Sequence, residues 1–152
     1  MNFPPRSLLV PIDGSPGALR AVAYAGDLAR LANAAVVLLR VHSPDLYQLS
    51  VLSEIPPLTD FEYLSAIEQR MNDPARDPAF AEAKKTLGTA RQVEEKIAWG
   101  QPAEMICDYA REHGIDQIVI CSRGRSAFSA LLLGSVCTQV LHHAPCPVTV
   151  VH

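Results

Sequence analysis

Apolar positions along this chain alternate between runs with strand character and stretches with helical spacing. Ser7-Leu-Leu-Val-Pro-Ile-Asp13 is apolar on both faces, as a central parallel strand is. Pro11 lacks a ladder donor, so the strand is expected to end or bulge near it. Gly14-Ser15-Pro16 then reads as a turn into a helix, with Ser15 as N-cap and Pro16 in the first helical position. Ala18, Ala21, Val22, Ala25, Leu28, Ala29 and Ala32 follow at helical spacing, small enough for close packing on a sheet. A second apolar strand runs from Ala34 to Val41 and ends near His42.

The connection from Ser43 to about Asp60 holds Pro44, Pro56 and Pro57 and exceeds the usual ~2–6 residues of α/β loops, which fits either a lid or a surface insertion. Phe61 to about Arg70 has helical character. Asp73-Pro-Ala-Arg-Asp-Pro78 breaks the pattern, and helix is expected again over Ala79 to Ala90. Val93, Ile97 and Trp99 alternate within Arg91 to Trp99, which reads as a third strand at a sheet edge. Gly100-Gln101-Pro102 opens a helix whose apolar face is Met105, Ile106, Tyr109 and Ala110, and Gly114 stops it. Asp116 to Cys121 is the fourth strand. A helix then covers Val136 to about His142, and Pro147 to Val151 is the fifth strand.

Strands alternating with helices predict an α/β fold with a parallel sheet and right-handed crossovers. Ligands of such sheets bind at the carboxyl ends of the strands, where strand order reverses. Asp13, Val41 and the loop after Cys121 all lie at carboxyl ends, so one site is expected there.

Composition narrows the options. At 152 residues the chain is expected to be one domain, 1–152, with a single sizeable core. A net charge of -3 argues against a nucleic-acid surface. No run approaches the roughly 18 apolar residues of a membrane span, and Met1-Asn-Phe-Pro-Pro-Arg has no signal-peptide character. The expectation is a cytoplasmic protein. Cys107, Cys121, Cys137 and Cys146 show no C-x-x-C spacing. The first, third and fourth lie in apolar surroundings and read as ordinary buried thiols.

The candidate chemistry lies in Cys121-Ser-Arg-Gly124-Arg-Ser-Ala-Phe-Ser-Ala-Leu-Leu-Leu-Gly134-Ser135. A strand ending in a Gly/Ser/Arg loop that feeds a helix N-terminus holds phosphate through freed N–H groups and the helix dipole. Arg123 and Arg125 either clamp phosphates or are solvated. Gly124 either lets backbone approach a phosphate or is a turn glycine with positive φ. Gly134 and Ser135 can offer N–H groups and a hydroxyl, with Ser135 also expected to cap the helix. Asp13 can accept from ribose hydroxyls or an adenine amine, hold a metal through water, or bond its own turn. His42 sits near the rim, and His142 and His143 suit a helix C-terminus. Neither a P-loop, a G-x-S-x-G elbow nor H-E-x-x-H occurs in the sequence.

Val10-Pro-Ile-Asp-Gly-Ser15, Gly100-Gln-Pro-Ala, Ser122-Arg-Gly124 through Gly134-Ser135, and the ending His143-Ala-Pro-Cys-Pro-Val together resemble the universal stress protein (UspA-like) family. The likeness covers essentially the whole chain. It implies a three-layer α/β/α fold of the adenine nucleotide alpha hydrolase-like type, with a five-stranded parallel sheet in the order 3-2-1-4-5. It also implies a homodimer paired through the last strand, Pro147 to Val151. Nucleotide-binding members carry G-x2-G-x9-G-[ST], and here Gly124, nine residues, and Gly134-Ser135 keep its register. By the same resemblance Pro11, Ile12, Asp13, Val41, Ile120, Cys121, Arg123, Gly124, Gly134, Ser135, Val136 and Cys137 would contact the nucleotide. The ligand would be ATP, ADP or AMP, with or without Mg2+. Cys121 stands in the first glycine position. A backbone there with positive φ would cost about 1–2 kcal/mol, or roughly tenfold in affinity, whereas with an ordinary β backbone the sulfur merely shrinks the pocket beside the phosphates or ribose. Three readings follow: a nucleotide-binding regulatory module of the stress response, a dimeric stress protein that works through partners without nucleotide, and, ranked last, a slow ATPase.

Overall fold

The computed structural model describes residues 4–43, 61–90, 92–124 and 133–152. Within them lie strands β1 (Ser7–Ile12), β2 (Ala35–His42), β3 (Val93–Trp99), β4 (Gln117–Cys121) and β5 (Val148–Val151). The helices are α1 (Pro16–Ala32), α2 (Phe61–Met71), α3 (Pro78–Leu87), α4 (Pro102–Glu112) and α5 (Ser135–His143), with one 3-10 turn at Pro74–Arg76. The long connection after Ser43 and residues 125–132 lie outside the described residues.

All strand pairs are parallel, and the order is β3-β2-β1-β4-β5, as expected. β3 and β5 form the edges. β1 stays in register with β2 from Ser7↔Ala35 to Ile12↔Arg40, but pairs with β4 only at Leu8↔Gln117 and Leu9↔Ile118. Strand order reverses between β1 and β4, so their carboxyl ends diverge and leave a crevice. Pro11 sits one residue from the end of β1, beyond the last pair with β4, where its missing N–H costs that ladder nothing.

Strand alternation divides the core. Leu8, Val10 and Ile12 pack with Val22 and Ala25 of α1 and Phe80 and Leu87 of α3. Leu9, Leu39 and Ile118 face Ile106 and Ala110 of α4 and Val140 of α5. Each fully buried leucine contributes about 1.5–3 kcal/mol through apolar burial. The small residues of α1 serve close approach: a Cβ on Gly26 would overlap the Leu87 carbonyl.

Local chemistry sets the boundaries. Ser15 caps α1, its Oγ accepting from the Ala18 N–H at 3.2 Å. α3 ends at Leu87, three residues before the expected Ala90, because Gly88 adopts φ 71 and donates its N–H to the Lys84 carbonyl. β4 begins at Gln117, not Asp116. The Asp116 carboxylate instead accepts from the Arg6 N–H at 2.8 Å and the Ser7 N–H at 3.2 Å, tying the chain ahead of β1 to the start of β4. The cap of α5 differs from expectation. Gly134 occupies it in an extended conformation (φ -65, ψ 154), and Ser135 is the first helical residue. The Gly134 N–H donates to the Ser122 carbonyl at 2.7 Å, which holds that extended geometry.

Candidate functional site

A cavity of about 240 Å³ opens at the carboxyl ends of β1, β2 and β4. Its walls come from five elements and two turns. β1 and its turn supply Pro11, Ile12 and Asp13, β2 supplies Leu39 and Val41, and α4 supplies Pro102 and Ile106. β4 and its loop supply Ile120, Cys121, Arg123 and Gly124, while Gly134, Ser135, Val136 and Cys137 close the side formed by α5. All twelve residues nominated from the sequence therefore line one cavity.

Leu39, Pro102 and Ile106 were missed. Leu39 lies two residues before Val41 and so shares its face of the strand. Pro102 and Ile106 are one helical turn apart at the start of α4, immediately after Gly100-Gln101. Both spacings were readable, but neither residue type signals a ligand. Arg125 lies outside the described residues.

The cavity is chemically divided. Leu39, Val41, Pro102, Ile106, Ile120 and Val136 make an apolar side. Asp13, Arg123, Gly124, Gly134 and Ser135 make a polar side, where Asp13 is the one carboxylate and Arg123 the one cation among the described lining residues. Such a surface suits a flat apolar body joined to a hydroxyl-bearing, anionic tail. α5 directs its first turn at the polar side, and its Gly134 cap makes no side-chain hydrogen bond to that turn.

Asp13 bonds its own turn, as one of its expected roles had it: its Oδ1 accepts from the Ser15 N–H at 2.9 Å, and the residue also lines the cavity. Gly124 abuts the same carboxylate: a Cβ there would lie 2.5 Å from Asp13 Oδ2. Positive φ among the described residues is confined to Asn33, Gly14, Gly88, Gly100 and Gly114, so Gly124 is needed for close approach and not for an unusual turn.

Cys121 is an ordinary strand residue, which removes the backbone strain considered from the sequence. It is 8% exposed and belongs to the core on the α1 side of the sheet. Gly17 of α1 lies against it, and the close approach there is to the backbone of the following loop. A Cβ on Gly17 would sit 3.5 Å from Cys121 Cβ and 2.7 Å from the Arg123 carbonyl oxygen. Burial, and then the charge of Asp13, push the Cys121 thiol up to about 11. That is opposite to the lowered pKa of a reactive thiolate. Burial also raises the thiols of Cys107, Cys137 and Cys146, and all four cysteines are free.

His42 does not reach the cavity. Its ring stacks on Trp99 with centroids 4.9 Å apart, and its Nε2 lies 3.5 Å from Asp77 Oδ2. Burial and the neighbouring Arg40 charge lower its pKa, against the pull of Asp77. His142 and His143 occupy the last turn of α5, where His143 Nδ1 lies 2.8 Å from the Gln139 carbonyl oxygen. Among the described residues no three His, Cys, Asp or Glu side chains are grouped to hold a metal, and no helix is long and apolar enough to cross a membrane.

Known proteins are similar to this chain in sequence and in fold. The chain is 32% identical to the universal stress protein YxiE of Bacillus subtilis, with 95% of this chain and 97% of that protein aligned. Among solved structures it is similar to the universal stress protein UspA from Lactobacillus plantarum (TM-score 0.73, 29% identity, 99% of this chain and 100% of that one). It is also similar to a universal stress protein in complex with cAMP (TM-score 0.64, 26% identity, 97% of each chain). The model of the universal stress protein family matches residues 5–152, and with that match, this sheet order and these relatives, the chain belongs to the universal stress protein family.

Proposed function

We propose that this protein binds an adenine nucleotide, ATP or its products ADP and AMP, in the cavity at the β1–β4 switch point. In this reading it is a regulatory module whose loop after β4 responds to the ligand. The observation that carries the proposal is the divided cavity: an apolar side of the kind a purine ring would pack on, and a polar side with Asp13, Arg123 and an α5 N-terminus lacking a side-chain cap. Asp13 would accept from ribose hydroxyls, while Gly124, Gly134 and Ser135 would present N–H groups to phosphate. The solved relative holding cAMP supports an adenine nucleotide over another amphiphilic anion. Cys121 presents no obstacle through its backbone, and its side chain is one of the cavity's lining groups. If Mg2+ accompanies the nucleotide, the phosphates would hold it, with Asp13 reaching it through water.

In the same reading the protein is cytoplasmic and forms a homodimer. β5 lies at a sheet edge with every residue of Val148–Val151 partly exposed, and an unpaired apolar edge favours a second strand beside it. A monomer mass by light scattering at micromolar concentration would count against the dimer.

Calorimetric titration of ligand-stripped protein with ATP and Mg2+, alongside Asp13→Ala, tests the site. Binding in the micromolar range that weakens at least about tenfold in the variant is expected, since a lost charge-assisted contact is worth roughly 1.5–3 kcal/mol. No heat with ATP, ADP or AMP would overturn the reading.

A further inference from the structure

Past Leu9 the sheet holds β1 from one side. β4 pairs with Leu8 and Leu9, whereas β2 continues through Ile12↔Arg40. Pro11 has no N–H to contribute. The turn that carries Asp13 therefore hangs mainly from β2, and at that point the side chain of Arg40 adds to the ladder. One guanidinium nitrogen, Nη1, donates to the Ile12 carbonyl at 3.3 Å, and Nε donates to Asp77 Oδ2 at 3.1 Å. The other oxygen of Asp77, Oδ1, accepts from the Ala79 N–H at 2.9 Å and caps α3. Arg40 and Asp77 side chains are 13% and 15% exposed, so water competes little for these bonds. The planar fork of arginine reaches two acceptors at once, which one ammonium does not.

We propose that Arg40 and Asp77 form a half-buried clamp that positions the Asp13 turn for its ligand by anchoring the Ile12 carbonyl to the start of α3. Neither residue lines the cavity, so both act through Ile12 and Asp13 as positioning residues. The purpose of the clamp rests on the nucleotide-binding reading, whereas the clamp itself can be read without any ligand.

Two variants of the full chain test it. Arg40→Lys keeps a positive charge opposite Asp77 but loses the fork. Asp77→Asn keeps an oxygen to cap α3 but loses the carboxylate charge, and it carries the test should Arg40→Lys fail to fold. The first readout is amide hydrogen exchange at Ser15, whose N–H is held by Asp13 Oδ1. Exchange there is expected to quicken about tenfold while amides of β4 and α5 keep their wild-type rates. A merely structural role would quicken exchange across the sheet. The second readout is ATP affinity by calorimetry, expected to fall about fivefold in Arg40→Lys and less in Asp77→Asn. Unchanged exchange at Ser15 in both variants overturns the clamp. Quickened exchange with unchanged ATP affinity shows that the clamp does not serve the site, and overturns its positioning role. If the wild type binds no nucleotide, the functional reading falls and the exchange measurement still decides whether the clamp exists.

Discussion

Gly124→Ala separates the site from the scaffold. The added methyl would start 2.5 Å from Asp13 Oδ2, closer than the 3.0 Å below which real Cβ atoms essentially never come. The atom it meets is the end of a short side chain, so the carboxylate yields by turning. A carboxylate forced about 30° off its rotamer costs roughly 0.5–1.5 kcal/mol. Weakening its bond to the Ser15 N–H adds a similar amount. Together these displace Asp13 from where a ribose hydroxyl would meet it, and about 1.4 kcal/mol of lost binding is a tenfold weaker affinity. Stability should hardly suffer. Gly124 is exposed and its φ is not positive, so alanine offsets part of the cost by restricting the unfolded chain, worth about 0.4–1 kcal/mol.

The expected result is ATP affinity about tenfold weaker by calorimetry, with a melting temperature within a few degrees of wild type. The loss should vanish when Asp13→Ala is also present, because nothing is then left to collide with. Equal affinity of Gly124→Ala and wild type, in folded protein, refutes the reasoning that the Asp13–Gly124 contact belongs to the binding surface. A tenfold loss that persists in the double variant would refute the stated mechanism, since the two residues would then be acting independently.

Two further outcomes are expected. Gly17→Ala places a Cβ 2.7 Å from the Arg123 carbonyl, which is backbone, so either α1 or the loop must move; the melting temperature should drop by several degrees, corresponding to about 1–3 kcal/mol, and an unaltered melting curve would contradict the close packing described. His42 gives a pH dependence whose sign is fixed. Its folded pKa lies below the ordinary 6.5, so the unfolded chain binds the proton more readily; its contribution to stability is complete above about pH 6.5 and is lost as pH falls through the range below it. Thermal melts over about pH 7 to 5 should show a steeper fall for wild type than for His42→Gln, and parallel curves would dismiss the effect.

The strand and helix rhythm made the sheet legible, and the position of Asp13, Val41 and Cys121 at strand ends made the cavity they line legible. What the sequence could not carry was mostly contact between distant segments. Ser135 looks like a cap because serine caps helices, but the cap falls on Gly134, fixed by a bond to Ser122 that joins two sides of a loop. Ala90 looks helical, yet Gly88 takes a left-handed φ and ends α3 early. Cys121 could be weighed only once its backbone was seen to be that of a strand. Arg40 and Asp77 stand 37 residues apart, and nothing in their separate surroundings marks them as a pair.

These features share one cause. A ligand crevice at a switch point exists because neighbouring strands part there, and parted strands cannot pair the backbone that borders the crevice. Residues such as Leu9, set in ladders on both sides and fully buried, are fixed by the sheet itself. The Asp13 turn and the Arg123–Gly124 segment are held instead by contacts outside a two-sided ladder, among them an Asp13–Ser15 bond, a guanidinium on the Ile12 carbonyl and a Gly134–Ser122 bond. Removing one of these moves a short segment without unfolding the layers beneath it. Substitutions around the crevice should therefore change ligand affinity out of proportion to stability, whereas truncation of Leu9 would do the reverse.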